Sequence, residues 1–313
     1  MKLAAISCDA RGLNDPTVNH QIVRHLGAVP VAQADVVVAF LSFREEFKFN
    51  TELGRLRKPW VLVDFVEDDW QWDGQENRLG FDRPYFAARE NAEWAKLDQL
   101  VRTRPPILTF KRELLQSRMD DRTTPIDYLA EHPIPPTMGN WGSRRFEVLF
   151  VWGYSNPQRC YLHAQLFNAM GGDNLEVFDA LDKISAASDG KREWISIYSP
   201  WFKRVPMAEV MAIQQHAKVS VSLPGAGKKC FRCSEAPVGC LPAFGDFPIA
   251  RAYPWDETNS VTLKSGCEYF CLRETFEDPL LYDRYVRAQE NIRRYVPEAY
   301  VRDYMKPNIQ RCL

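Results

Sequence analysis

The sequence predicts an α/β protein of two doubly wound domains followed by a C-terminal helical segment. Short, β-branched, continuously apolar runs alternate with charged or amphipathic stretches, the pattern of strands buried on both faces of a parallel sheet. The alternation halts in a proline-rich stretch and then restarts. Length agrees, because 313 residues exceed the usual size of one compact core.

In the first half, Leu3–Ile6, Asp35–Leu41 and Trp60–Val66 read as buried parallel strands. Between the last two, the charged stretch Glu45–Arg57 predicts a helix ended at Lys58-Pro59, since the residue before a proline avoids the α region. From Asp68 to Arg104 the chain turns aromatic and charged, with Trp70, Trp72 and Trp94, and a helix is expected over Tyr85–Val101. Ile107–Phe110 supplies a further strand. Asp120–Asn140 carries Pro133, Pro135, Pro136 and Gly139, which discourage regular structure, so the linker is placed there. The expected domains are therefore residues 1–140 and 141–313.

The second half repeats the alternation. Phe146–Trp152 predicts a strand, Pro157–Met170 a helix, Leu175–Phe178 and Trp194–Tyr198 strands, Met207–His216 a helix and Lys218–Leu223 a strand. Over Pro279–Tyr304 the apolar residues Leu281, Tyr285, Ala288, Ile292 and Tyr295 recur at helical spacing, which predicts the terminal helical segment.

Composition narrows the function classes. Forty basic and 41 acidic residues leave a net charge of −1, so no whole-protein field draws in nucleic acid or anionic lipid. The start of the chain lacks an export signal, and no run of 18 or more apolar residues occurs. A soluble, cytoplasmic protein without a transmembrane segment is expected. Five of the eight cysteines fall between Cys230 and Cys271. Cys230 and Cys233 have the spacing of a zinc half-site that Cys240, Cys267 and Cys271 would have to complete, but the later spacing matches no familiar finger. Buried reduced thiols and no metal are expected. Neither a hydrolase triad nor a dinucleotide fingerprint stands out.

The most informative stretch runs from Ser222 to Phe244. It sets a glycine-rich loop, Pro224-Gly-Ala-Gly-Lys-Lys229, then Cys230-Phe-Arg232 and Ser234-Glu-Ala236, between two apolar runs. Such a loop suits a phosphorylated ligand at a helix N-terminus. The order of these residues, continued by Gly239 and Leu241-Pro-Ala-Phe244, resembles the donor-binding segment of GT-B glycosyltransferases, nearest to the exostosin-like group. The resemblance covers about twenty-five residues closely. It implies two Rossmann-like domains, with a nucleotide sugar as co-substrate on the second. Gly225 and Gly227 would form the loop, Lys229 and Arg232 would face the diphosphate and stabilise its departure, and Glu235 would hold the ribose. No Asp-x-Asp motif of the metal-dependent type is present, and Glu67-Asp-Asp69 reads as a solvated turn, so transfer without a metal is expected. The acid that marks many retaining members is replaced by Gly227, which leaves the stereochemistry open.

Two further places fit a ligand in this domain. Gly153, Tyr154 and Ser155 follow its first strand, where backbone N–H groups reach a ligand, and Tyr198 ends another strand and would stack on a nucleobase. An ordinary strand-to-helix turn and core aromatics are the alternatives. From the first domain the family takes the acceptor and, in inverting members, the general base. Asp9 follows the first strand directly and is the leading carboxylate, ahead of Asp15, Asp64, Glu67 and Asp68, with Arg11 and His20 nearby.

The acceptor is expected to be a glycan, a lipid-linked sugar or a hydroxylated (for example hydroxymethylated) DNA base, the last on account of Arg102, Arg104, Arg112, Arg118 and Arg122. Two other readings remain. One is a non-catalytic nucleotide-binding protein. The other rests on Ala34–Leu41, Asn50-Thr-Glu-Leu-Gly54 and Lys58–Val63, which are similar to nucleoside deoxyribosyltransferases and imply an N-glycosidic transferase or hydrolase with Glu52 as nucleophile. The chain lacks the family's Asp-x-Gly before Glu52.

Overall fold

The computed structural model describes residues 1–10, 12–13, 19–42, 47–66, 92–112, 114, 116–127, 129, 141–144, 146–153, 175–178, 194–199, 212, 214–223, 238–246, 250–251 and 253–313. The helices expected over residues 157–170 and over most of 207–216 lie outside the described residues. The chain divides into two compact units: Met1–Leu129 with Pro248–Tyr253 and Val296–Leu313, and Ala130–Phe247 with Pro254–Tyr295. Two stretches that the expected boundary gives to the second domain thus group with the first unit.

The first unit holds a parallel sheet whose spatial order follows the sequence: β1 (Leu3–Ser7), β2 (Val36–Leu41), β3 (Trp60–Asp64), β4 (Leu108–Lys111) and β5 (Thr123–Pro125). All six residues of β2 are buried, because both of its faces are covered. On one face, Ile6, Ala39 and Leu62 stand in register and pack with Leu53 of helix α2 (Thr51–Arg55) and Trp94, Leu97 and Val101 of α3 (Ala92–Thr103). Phe47 stacks on Trp94 with ring centroids 4.2 Å apart. Strand alternation turns Phe110 to the opposite face, where its ring meets Tyr304 edge-on at 5.9 Å. Helix α1 (Asn19–Leu26) buries Ile22 and Leu26 and packs on the C-terminal segment.

The predicted helix over Glu45–Arg57 is shorter than expected. Residues 43–46 lie outside the described residues, and the chain over 47–50 is tied to the sheet edge instead of coiling. Phe49 bridges Asp9, the N–H of Asn50 donates to the carbonyl of Cys8 at 2.9 Å, and that of Ala10 donates to Lys48 at 2.7 Å. Asn50 then caps α2, its side-chain oxygen accepting from the N–H of Glu52 at 3.0 Å while its amide donates to the Ser7 carbonyl at 2.9 Å. Part of the expected linker is also structured, since Thr123–Pro125 pairs with β4. A proline is tolerated there because β5 is an edge strand.

The second unit holds a six-stranded parallel sheet: β6 (Phe146–Gly153), β7 (Leu175–Phe178), β8 (Trp194–Ser199), β9 (Ala217–Ser222), β10 (Leu241–Gly245) and β11 (Val261–Leu263). Its spatial order is β11-β10-β9-β6-β8-β7. Two elements escaped the sequence reading, β11 and helix α4 (Glu268–Glu277), which packs on it. Helix α5 (Leu281–Ile292) buries Leu281, Tyr285, Ala288 and Ile292, and Tyr295 just beyond is buried too, the stripe that the spacing predicts.

The amino edge of this sheet is fastened by Arg144. Its guanidinium donates to the carbonyls of Ala217 and Gly239 and, at 2.7 Å, to the Tyr285 hydroxyl. Burial raises the Tyr285 phenol's pKa, and the Arg144 charge opposes that rise. Gln289 accepts from the N–H of Gly239 at 3.2 Å and donates to the Cys240 carbonyl at 2.8 Å. Gly239 has φ +80°, a conformation that favours glycine.

The C-terminal segment continues with α6 (Pro297–Tyr300), a π-helical turn at Val301–Met305 and α7 (Lys306–Arg311). It returns to the first unit, where the Tyr304 hydroxyl meets that of Thr124 at 2.8 Å and donates to the carbonyl of Pro125 at 2.7 Å.

Candidate functional site

In an open parallel sheet, ligands bind beyond the carboxyl ends of the strands, where successive connections leave in opposite directions. The second unit has that point at β6 and β9. From β6 the chain proceeds to β7 and β8 on one side, and from β9 to β10 and β11 on the other. β6 and β9 are adjacent, with Leu149 opposite Ser220 and Phe150 opposite Val221.

The carboxyl ends there carry several of the predicted residues. Gly153 closes β6 and stands in register with Ser199, while Trp152 stands opposite Tyr198. The structure thus brings the backbones of Gly153 and Tyr198 to one edge. β9 ends at Ser222, opposite Phe244 of β10, and Leu223 is buried directly before Pro224. Because β9 and β10 are parallel, the connection that contains the motif starts at this carboxyl edge and finishes at the amino edge, beside Gly239. Tyr154, Ser155, Gly225, Gly227, Lys229, Arg232 and Glu235 lie outside the described residues.

The carboxyl edge of the first sheet carries buried charge. Asp9 is 3% exposed; its N–H donates to Ser7 Oγ at 3.1 Å, and its Oδ2 accepts from the N–H of Lys48 at 3.4 Å. Asp64 closes β3 in register with Lys111 of β4, and the two side chains, 0% and 1% exposed, pair at 3.0 Å. The other Asp64 oxygen accepts from the N–H of Val66 at 2.9 Å, turning the chain as it leaves the strand. Burial first, and then the charges of Asp64 and Asp9, push the Cys8 thiol well above its ordinary pKa, so both carboxylates act on one sulfur. Lys111 was missed because the strand was ended at Phe110. A lysine in register with a strand-terminal aspartate was the available signal.

Other predicted residues separate. Glu52 is exposed at the start of α2. Arg112, expected among exposed arginines, is fully buried. Arg102 pairs with Asp98 at 2.9 Å, and Arg104 donates to the Leu53 carbonyl at 2.8 Å. Burial, and then the nearby Arg57 charge, lower the Arg104 pKa. Arg11, Asp15, Glu67 and Asp68, together with the side chain of His20, lie outside the described residues. Among the described residues, no group of three or more His, Cys, Asp or Glu side chains could hold a metal ion, and no helix is long and apolar enough to cross a membrane. The expectation of buried thiols holds for Cys240 but not for Cys267, which is exposed.

No family model and no curated protein matches the sequence. Solved structures similar to the chain include TarM, at 12% identity and TM-score 0.46, over 87% of this chain and 54% of that one. They also include an alpha-glucosyltransferase in complex with UDP and a 13-mer DNA, at 9% identity and TM-score 0.41, over 86% of this chain and 76% of that one. A third is the glycosyltransferase SnogD from Streptomyces nogalater, at 12% identity and TM-score 0.36, over 93% and 80% of the two chains. The chain spans about half the length of TarM.

Proposed function

We propose that this protein is a glycosyltransferase that binds a nucleotide sugar on its second unit and transfers the sugar to an acceptor hydroxyl. The observation that carries the reading is the position of the motif: its connection leaves β9 at the carboxyl edge, beside the end of β6. A glycine loop that starts there offers backbone N–H groups to a diphosphate at the point where parallel sheets bind ligands.

In this reading Gly225 and Gly227 let the backbone approach the phosphates, with Gly153, Tyr154 and Ser155 contributing from the neighbouring strand. Lys229 and Arg232 stabilise the charge that develops as the nucleoside diphosphate leaves, a role that asks for no metal. Glu235 holds the ribose hydroxyls and Tyr198 packs on the base. Asp9 takes the proton of the acceptor hydroxyl. Its burial calls for a split readout: Asp9→Asn should lower kcat by two orders of magnitude or more with nucleotide-sugar affinity unchanged. A loss of thermal stability with kcat intact would assign Asp9 to holding the 48–50 strand edge instead.

A carbohydrate acceptor is favoured over DNA. Of the five arginines that suggested DNA, Arg112 is buried and Arg104 is held by the Leu53 carbonyl, while Arg102 is paired with Asp98; Arg118 and Arg122, which keep exposure, are too few for a broad basic face. DNA binding that fell steeply with added salt would reverse that preference.

The decisive experiment is a panel of nucleotide sugars screened for thermal stabilisation, repeated on Glu235→Ala. One donor should raise the unfolding midpoint, and the variant should lose roughly 10- to 100-fold in affinity, as expected for a hydrogen bond to a charged group. A variant that keeps full affinity removes the proposed site. Donor binding without release of nucleoside diphosphate to any acceptor would identify a binding protein.

A further inference from the structure

We propose that Cys267 and Cys271 form a dithiol that closes into a disulfide when a small-molecule disulfide oxidises it. This does not depend on the transfer reading. Cys267 is the N-cap of α4, with φ −127° and ψ 17°, and its side chain makes no capping bond. Its residue is exposed, Cys271 is partly exposed, and both thiols are free.

The N–H of Cys271 donates to the carbonyl of Cys267 at 3.0 Å, which closes one helical turn between them. At 1.5 Å rise per residue that turn leaves the two Cα atoms about 6 Å apart on one helix face. Disulfides span Cα separations of roughly 4.4–6.8 Å. Side chains one turn apart stand about 5–6 Å apart at Cβ, wider than the roughly 3.5–4.5 Å of a disulfide, so closure draws Cys267, the N-cap outside the helical φ/ψ region, toward Cys271.

Cys271 also lines an open cavity of about 320 Å³ with Thr262, Lys264 and Glu274. The second sulfur is therefore not sealed in the core, and the thiolate it displaces has room to leave. Cys8 and Cys240, by contrast, are buried.

The exchange takes two steps. The more exposed Cys267 thiolate attacks one sulfur of the small disulfide, whose S–S bond breaks and whose other half leaves as a thiolate that picks up a proton. Cys271 then attacks the Cys267 sulfur of the mixed disulfide and expels the second thiolate. The protein loses two protons and two electrons, and the oxidant takes them up as two thiols.

The test is peptide mapping of the full chain after exposure to oxidised glutathione. Cleavage after Lys264 and Arg273 places both cysteines in the peptide Ser265–Arg273. In the wild type this peptide should lose two hydrogens and become resistant to alkylation until reduced. Cys271→Ser should stop at one glutathionyl group on Cys267, and Cys267→Ser should neither close the ring nor accumulate the adduct at a comparable rate. Recovery of the wild-type peptide doubly alkylated, while dithiothreitol in a parallel protein-free sample is oxidised by the same oxidised glutathione, would overturn the proposal. So would equal glutathionyl adducts in the wild type and Cys271→Ser, with circular dichroism confirming that both are folded.

Discussion

Lys111 and Asp64 show how closely a charge can be tied to its partner once water is gone. Both are buried, and each is costly to keep ionised without the other. Lys111→Met, which takes the cation away from the buried carboxylate, should lower stability by about 3–5 kcal/mol, whereas adding Asp64→Asn to it should recover part of that loss. Urea unfolding of the single and double variants measures both. Glu93 makes a contrasting surface case. A hydrogen bond from Lys96, and then one from the N–H of Phe49 at 2.9 Å, hold its carboxyl below the usual glutamate value of 4.5. Its contribution is therefore fully present above that value and is lost as pH falls through the depressed one. Glu93→Gln should flatten this part of the acid limb of stability against pH, and the two proteins should converge at the acid end. A constant gap between the two curves would assign the contact to packing instead.

Single residues also set where elements begin and end. Asn50 starts α2 and ties it to β1, so Asn50→Ala should cost about 1–2 kcal/mol, beyond an ordinary exposed cap because the bond to the Ser7 carbonyl goes with it. Gly239→Ala should cost roughly 1–2 kcal/mol from backbone strain alone, since a Cβ there meets nothing nearer than 3.8 Å. Both are measurable as shifts of the unfolding midpoint. Several strands were legible in the sequence: β2, β7 and β9 fall within a residue of where they are expected, and VVVAFL of β2, buried throughout, leaves an unbroken apolar signature. β11 was not, as Val261-Thr-Leu263 is too short to show a period. Helix α4 begins on a cysteine that offers no capping oxygen, and β5 sits in a stretch whose threonines and proline resemble a loop. The edge at which the motif begins was legible because the expected strand Lys218–Leu223 ends directly before the glycines, as β9 does at Ser222.

At the scale of the molecule, the first unit is built from three separate stretches of chain. Tyr300, Val301, Met305 and Ile309 are buried in the C-terminal stretch, and each apolar side chain of this kind contributes about 1.5–3 kcal/mol. Together they rival the whole stability of a typical domain. Removing residues 296–313 should therefore leave the first unit unable to hold its native sheet, seen as loss of protection in hydrogen exchange over β1 to β4. Tyr304→Phe, which removes only the hydroxyl bonds to Thr124 and Pro125, should cost about 1–2 kcal/mol and keep the fold.

That return of the C-terminal stretch has a consequence for synthesis. A ribosome releases the chain from its N-terminus at about 5–20 residues per second. β1 to β5 are made before the second unit, yet the stretch 296–313 that completes their own unit follows it. The second unit, which closes at Tyr295, can complete itself earlier. The face of the first sheet that carries Phe110 must wait, with apolar surface uncovered, until that stretch is made. Of the two units, the one begun first is finished second, and it is the one on which chaperones should act longer.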